Sequence, residues 1–264
     1  MEKKTYLSES VKNGRIMRWS KMPLRVYIAP MRFYSKPGQD AKYRGLVKRA
    51  LDEWSRVTHG KISFTITDSY DNSHISVEWQ RVDRQALGYC STHYGKNNSF
   101  LMMEVLIGLT EGLVHAEYMD EGEVYHTILH EIGHAIGLGH SPFRTDIMYT
   151  PHQKGITSVG KNDSLTVNWL YSFQDGQTVS QIASKYGISG VKDIDEIVAR
   201  LISKQTKTEF EKVKDNIPQK PQRNLLEENE SIGNLRKYHM ALQNVNIPSE
   251  LKEQIKKQHR DMNY

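Results

Sequence analysis

Residues 130–140 read His-Glu-Ile-Gly-His-Ala-Ile-Gly-Leu-Gly-His. On a helix, His130 and His134 are four residues apart, so both imidazoles project from one face. Gly137 can take a positive φ, which most other residues avoid, so the chain can leave the helix there and bring His140 back toward the pair. Three imidazoles that converge in this way predict a tetrahedral zinc site.

Glu131 follows the first histidine and lies about a quarter-turn further around the helix. Three protein ligands leave the fourth zinc position to a water, whose pKa the metal lowers to about 7. Glu131 can reach that water rather than the metal, which predicts that it acts as a general base. The open fourth position predicts a catalytic site and a zinc peptidase.

The extended motif resembles the signature of the metzincins, and two further features resemble the matrixins within that clan. Ser141 follows the third histidine directly, and Asp-Ile-Met-Tyr stands at 146–149. The resemblance implies that Met148 belongs to a Met-turn, an apolar floor beneath the zinc-binding histidines. It covers roughly residues 15–172, through segments similar to the family's first strand, first helix and last helix at 18–28, 50–58 and 162–171.

The resemblance implies an α+β metzincin fold with a twisted mixed sheet and an active-site helix, followed here by a helical C-terminal extension. It also implies a zinc-dependent metalloendopeptidase, whose peptide or protein substrate binds antiparallel to an edge strand near residues 87–91. Tyr149 and Pro151, after the Met-turn, are expected to line the pocket for the residue that follows the scissile bond. A plain packed turn is the simpler alternative for these two residues.

The chain also departs from the matrixin pattern. Matrixins usually carry a propeptide cysteine for latency, whereas the single cysteine here, Cys90, lies in a predicted strand. Residues 91–99 are too short and too poor in His and Asp for the family's loop that binds a structural zinc and calcium, so one catalytic Zn²⁺ is expected. The family commonly continues Met-Tyr-Pro after the Met-turn, but residues 149–152 read Tyr-Thr-Pro-His. This difference changes the expected shape of the pocket.

Length and composition limit the class of protein. The chain has 264 residues, of which 38% are apolar, enough for one core of about 150–170 residues with an appendage. It contains no apolar run of about 18 residues that would predict a transmembrane helix, and residues 1–8 are not followed by the apolar segment of a signal peptide. The compartment is therefore left open, cytoplasmic by sequence and extracellular by family habit.

Charge is unevenly distributed along the chain. Residues 1–50 hold 13 Lys and Arg against 3 Asp and Glu, whereas residues 97–143 hold seven acids and no Lys or Arg. A solvated basic surface is the simpler interpretation. The alternatives are an acidic cleft that favours basic peptides and a basic surface that meets an anionic one. No motif supports nucleic-acid binding.

Hydrophobic periodicity predicts the secondary structure around the motif. Helices are predicted at 40–57 and from about 120–123 to 138, and strands at 25–28, 62–66, 75–79 and 100–109. The resemblance to the matrixins implies a further strand at 87–90. His126 lies one turn upstream of His130 on the same face. Because three histidines already complete the protein side of the site, His126 is predicted to support the site or to face solvent.

The remaining chain is predicted to be more polar and helical. Residues 1–173 are expected to form a matrixin-like domain that folds and cleaves small peptides by itself, followed by a small helical segment at 174–215, a linker at 216–231 and a helical or partly disordered tail at 232–264. Residues 175–188 resemble the opening of a LysM repeat, a cell-wall glycan-binding module, without its closing strand. A helix-turn-helix and an ordinary helical pair remain open for the same residues.

The sequence therefore predicts a metalloendopeptidase. The alternative is a zinc-stabilised binding module in which catalysis is incidental and the C-terminal region selects the partner. An intact Glu131 argues against this alternative, because zinc binding alone does not need that carboxylate.

Overall fold

The computed structural model describes residues 4–31, 37–80, 87–95, 99–109, 120–188 and 190–215, with side chains described up to residue 206. The architecture is α+β, as predicted, with a five-stranded mixed sheet and several helices. Within these ranges, no helix has the length and apolar character that a membrane span requires.

The strands form a small hairpin and one larger sheet. Their bounds are β1 (Val11–Lys12), β2 (Arg15–Ile16), β3 (Leu24–Ile28), β4 (Phe64–Thr67), β5 (Ile75–Gln80), β6 (Gly88–Tyr94) and β7 (Phe100–Gly108). Strands β1 and β2 form the antiparallel hairpin, and the larger sheet has the order β4-β3-β5-β7-β6. Within it, β6 is antiparallel to β7, and the other neighbours are parallel. Strand β6 is therefore an edge strand of the sheet, and it runs antiparallel to its neighbour β7.

Two strand bounds differ from the sequence prediction by more than one residue. Strand β4 starts at Phe64 rather than residue 62, because Ile62 still belongs to the turn after the first helix, where its N–H donates to the Thr58 hydroxyl at 3.4 Å. Strand β6 continues to Tyr94 rather than residue 90 because it pairs with β7 along its full length. Because the second half of β6 is polar, the hydrophobic pattern did not predict this continuation.

Two helices form the centre of the core. Helix α1 (Gln39–Val57) buries a stripe of apolar residues, and its Trp54 indole donates to the backbone oxygen of Leu129 at 3.0 Å. Leu129 belongs to α2 (Glu121–Ala135), which is buried along most of its length. The Asp120 carboxylate caps α2 by accepting from Gly122 N at 2.9 Å. This packing fixes the position of the helix that carries the histidine motif.

Three further helices follow the motif. They are α3 (Lys161–Leu170), α4 (Val179–Lys185) and α5 (Ile194–Asp215). A capping box starts α4, because the Thr178 side chain accepts from Gln181 N and the Gln181 side chain accepts from Thr178 N. Helices α4 and α5 match the predicted helical pair, and this segment gives no support to glycan binding.

Helices α4 and α5 share the core of the motif-bearing domain. The backbone at Gly176 and Gln177 pairs with Ile16 of β2, and the Asp195 carboxylate of α5 accepts from Leu7 N at 2.7 Å. Among the described residues, chain contacts group those up to Phe210 into one compact unit. Independent folding of residues 1–173 stays a prediction, but these contacts argue for a larger folding unit. The predicted linker and tail, 216–264, lie outside the described residues.

Candidate metal centre and cleft

The three predicted ligands converge on one point. His130 and His134 project from α2, and their Nε2 atoms lie 3.1 Å apart, while the Nε2 atoms of His134 and His140 lie 3.2 Å apart. The three candidate ligand atoms all lie within 4.8 Å of one another. Tetrahedral zinc with Zn–N bonds of about 2.0–2.1 Å places its nitrogens about 3.3 Å apart. The donor set and its spacing therefore fit a zinc ion.

Backbone carbonyls orient two of these imidazoles. The Nδ1 atom of His130 lies 2.7 Å from the oxygen of Ile147, and that of His134 lies 2.8 Å from the oxygen of Leu138. A carbonyl oxygen can only accept, so both Nδ1 atoms carry the proton and both Nε2 atoms present a lone pair. Burial lowers the pKa of His130 to about 3 and that of His134 to about 4. Both rings are thus held in the neutral form that a metal requires.

A glycine turn brings the third histidine back, as the sequence predicted. Helix α2 ends at Ala135 instead of the predicted residue 138, because Gly137 already has a φ of 101°. A Cβ atom at Gly137 would also lie 3.1 Å from the backbone oxygen of Met17. Both the conformation and the close approach require glycine at this position.

The Met148 side chain is fully buried against α2. A Cβ atom at Gly133 would lie 2.2 Å from the Met148 sulfur, so glycine makes room for the methionine. Ser141 anchors the same turn, since its N–H donates to the Met148 oxygen at 2.8 Å and its hydroxyl donates to Asp146 at 2.6 Å. Met148 therefore packs against the helix that carries His130 and His134, and its role as a floor beneath the histidines stays a prediction.

Glu131 is buried at the base of the cleft, with an exposed fraction of 6%. A Cβ atom at Gly88 would come within 2.8 Å of its Oε1 atom, so the carboxyl group lies against the glycine of the edge strand. Burial raises the pKa of Glu131 to about 8 in the absence of metal. A bound cation would favour the carboxylate form.

A single cleft of about 690 Å³ contains the histidines and Glu131. Tyr149 and Pro151 line it, and their role in substrate choice stays a prediction. Cys90 lines it too, and burial raises the pKa of its thiol far above the usual range.

A second group of polar residues, mostly missed by the sequence analysis, lies beside the metal centre. His126 is 3% exposed, so it does not face solvent, and its Nδ1 lies 2.6 Å from the oxygen of Ile156. Its ring centroid lies 3.8 Å from that of His152 and 6.2 Å from that of His130. His152 Nε2 lies 2.5 Å from a carboxylate oxygen of Glu123, but the angles between the two groups are not those of a hydrogen bond. Helical spacing could identify His126, but no local signal identifies His152.

The other end of the cleft is lined by N-terminal residues that the sequence analysis did not single out. Glu9, Ser10, Lys12 and Met17 line it together with the histidines. No motif in residues 1–20 predicts that these residues line the cleft. Their place there depends on contacts with residues more than 80 positions away in the sequence.

Comparison with known proteins agrees with this geometry. No curated protein matches the chain. The family model described as Matrixin matches residues 18–172, which is more than half of the chain and includes all three histidines. Zinc metallopeptidases make up this family, and the chain belongs to the matrixin family.

Proposed function

We propose that the chain is a zinc endopeptidase in which His130, His134 and His140 hold the metal and Glu131 is the general base. The observation that supports this most strongly is the convergence of three Nε2 atoms beside a buried carboxyl group in one cleft. A site built only to hold zinc needs a fourth protein ligand and no such acid. The described residues offer three ligands in this cluster.

The metal-binding histidines and Glu131 have different roles in the proposed peptide hydrolysis. Zinc held by His130, His134 and His140 would polarise the scissile carbonyl and would lower the pKa of a water to about 7. Glu131 takes a proton from the attacking water and returns it to the nitrogen of the leaving amine as the C–N bond breaks. Burial raises the pKa of the Glu131 carboxyl group, which favours return of the proton, and a bound cation would favour the carboxylate that takes it.

Strand β6 supplies the peptide-binding surface in this proposal. It is the outermost strand at its side of the described sheet, and its start at Gly88 lies against Glu131. An extended peptide can therefore pair with the free backbone edge of β6 and place a peptide bond beside the carboxyl group.

A diverse peptide library tests the proposal. We expect the purified, zinc-loaded protein to cleave internal peptide bonds, read by mass spectrometry, and a chelator to abolish this cleavage. Zinc added back should restore it. Cleavage that survives chelation, or zinc-loaded protein that cleaves nothing, would support the binding-module alternative or a different metal-free activity.

A further inference from the structure

The N-terminal hairpin closes one end of the cleft. The hairpin and the 3-10 helix before it, Leu7–Ser10, lie between the loop that carries His140 and the end of strand β6. On one side, a Cβ atom at Gly139 would lie 2.3 Å from the Glu9 Cβ and 3.2 Å from the Glu9 backbone oxygen. On the other side, the Lys12 ammonium group donates to the Tyr94 hydroxyl and lies 4.8 Å from the Tyr94 ring centroid.

The wall behind Tyr94 is continuous with the metal centre. The Tyr94 ring lies 6.1 Å from the Phe100 ring, centroid to centroid, and a Phe100 ring carbon lies 3.3 Å from the Cβ position of Gly137. A chain of contacts thus links the loop that carries His140 to Phe100, and Phe100 through Tyr94 to Lys12. A further contact, between Glu9 and Gly139, returns to the same loop. These residues form a continuous surface at this end of the cleft.

Two polar groups at the closed end are suited to a ligand. Glu9 is exposed, and its carboxylate interacts electrostatically with the His140 ring. Ser10 lines the cleft and is 3% exposed, and its hydroxyl oxygen is buried without a hydrogen-bond partner among the described residues. An unsatisfied buried hydroxyl is unfavourable, which makes the oxygen a candidate to accept a hydrogen bond from a bound molecule.

The direction of strand β6 decides which end of a peptide meets this wall. The strand runs from Gly88, beside Glu131, to Tyr94, beside the hairpin. A peptide that pairs antiparallel to β6 therefore runs with its N-terminal part toward the hairpin and its C-terminal part toward His152.

We infer that the closed end binds the α-ammonium group of the substrate through Glu9 and Ser10, so that the enzyme removes short peptides from the N-terminus of its substrate. This inference rests on the proposed function. Glu9 contacts the residue next to His140, and an extended chain advances about 3.3 Å per residue. Six strand positions separate Gly88, beside Glu131, from Tyr94, beside the hairpin, so the space on this side of the scissile bond holds no more than about six residues.

Paired peptides test this inference through cleavage and through binding. Each pair has one sequence of about ten residues without lysine or arginine, with either a free or an acetylated N-terminus. Cleavage by the zinc-loaded protein is read by mass spectrometry, and binding is read by fluorescence anisotropy with the zinc-loaded Glu131→Gln protein. We expect release of N-terminal fragments of no more than about six residues, and acetylation should lower both kcat/KM and affinity at least about tenfold, the scale of one charged hydrogen bond.

Three variants locate the effect. Glu9→Gln and Ser10→Ala should each reduce the penalty of acetylation, with the larger reduction for Glu9→Gln because it removes the charge. Glu196→Gln changes an exposed glutamate on α5 that pairs with Arg200, and it should keep the full penalty. A thermal melt checks that each variant remains folded.

The outcomes separate this inference from the proposed function. Equal cleavage of free and acetylated peptides at internal bonds would overturn the inference and leave the endopeptidase proposal intact. If acetylated peptides are cleaved only when they contain lysine or arginine, Glu9 recognises a basic side chain instead of the α-ammonium group. That result would also overturn the inference. Absence of all cleavage, with preferential binding of the free N-terminus, would overturn the proposed function and retain the recognition site.

Discussion

The Nδ1 atom of His130 lies 2.7 Å from the backbone oxygen of Ile147, the residue before Met148. The N–H of Ile147 in turn donates to the Asp163 carboxylate on α3 at 2.7 Å. Asp163 also accepts from the Tyr6 hydroxyl at 2.6 Å and from Gly160 N at 2.9 Å. Helix α3 thus holds the turn that orients the first ligand.

Replacement of Asp163 should therefore weaken zinc binding as well as the fold. In Asp163→Ala the Ile147 and Gly160 N–H groups lose a buried acceptor, at a cost of about 1–3 kcal/mol. Because the turn also orients His130, we expect zinc affinity to fall about 10- to 100-fold. Urea unfolding and zinc titration with a competing dye measure the two effects. Asp52→Ala, on the exposed face of α1, is the control, and equal behaviour of the two variants would refute the supporting role.

Two Gly→Ala changes should have opposite effects on stability, because a Cβ atom at Gly133 would clash with Met148 whereas one at Gly45 has free space. Gly133→Ala places a Cβ atom within 2.2 Å of the Met148 sulfur and 3.0 Å of a Trp54 ring carbon, which should destabilise the protein by about 1–3 kcal/mol. Gly45→Ala in α1 meets nothing within 4 Å and should stabilise it by about 0.5–1 kcal/mol. Chemical denaturation of both proteins checks this pair. Similar stabilities would show that Met148 does not pack as described.

Burial of the histidines predicts acid sensitivity of the metal-free protein. Burial lowers the pKa of His126, His130 and His134 to about 4, 3 and 4 in the fold, against about 6.5 in an unfolded chain. The unfolded chain therefore binds more protons than the fold as pH falls below about 6.5, and stability declines with it. The decline should continue to about pH 4 and become shallower in His134→Gln. The raised pKa values of Glu131 and Asp163, about 8 and about 6, oppose this decline. The test is therefore the difference between the two proteins in urea unfolding at pH 7, 6 and 5, and equal slopes would contradict the assignment of His134.

The shared core predicts the effect of truncation. A fragment of residues 1–173 loses the backbone pairing of Ile16 with Gly176 and Gln177, the Asp195 acceptor for Leu7 and Ser8, and the buried faces of α4 and α5. We expect it to be less stable than residues 1–215, which keep all these contacts, and to have weaker peptidase activity because the hairpin loses its support. Circular dichroism melts of both fragments measure the difference. Equal stability and activity would support the domain boundary that the sequence predicted.

The sequence predicted which three histidines converge because their geometry is local. Spacing of four residues on one helix places His130 beside His134, and Gly137 fixes the return of the chain, so both can be read without tertiary information. Glu9 and His152 instead reach the cleft through a hairpin and a loop that fold back from far along the chain. The sharing of the core by α4 and α5 depends on such long-range contacts too. Hydrophobic periodicity predicts that these helices exist but does not identify what they pack against.

The most direct test of the central claim is peptide cleavage by the full chain and by Glu131→Gln, each assayed with its zinc content measured. Gln keeps the size of the side chain and removes its basicity. We expect about one zinc per chain in both proteins, because the three histidines are unchanged. We expect turnover in Glu131→Gln to be lower by at least about 10²- to 10⁴-fold. Retained turnover in the zinc-loaded variant would contradict the assignment of Glu131, and its failure to hold zinc would contradict the assignment of the three histidines as the complete ligand set.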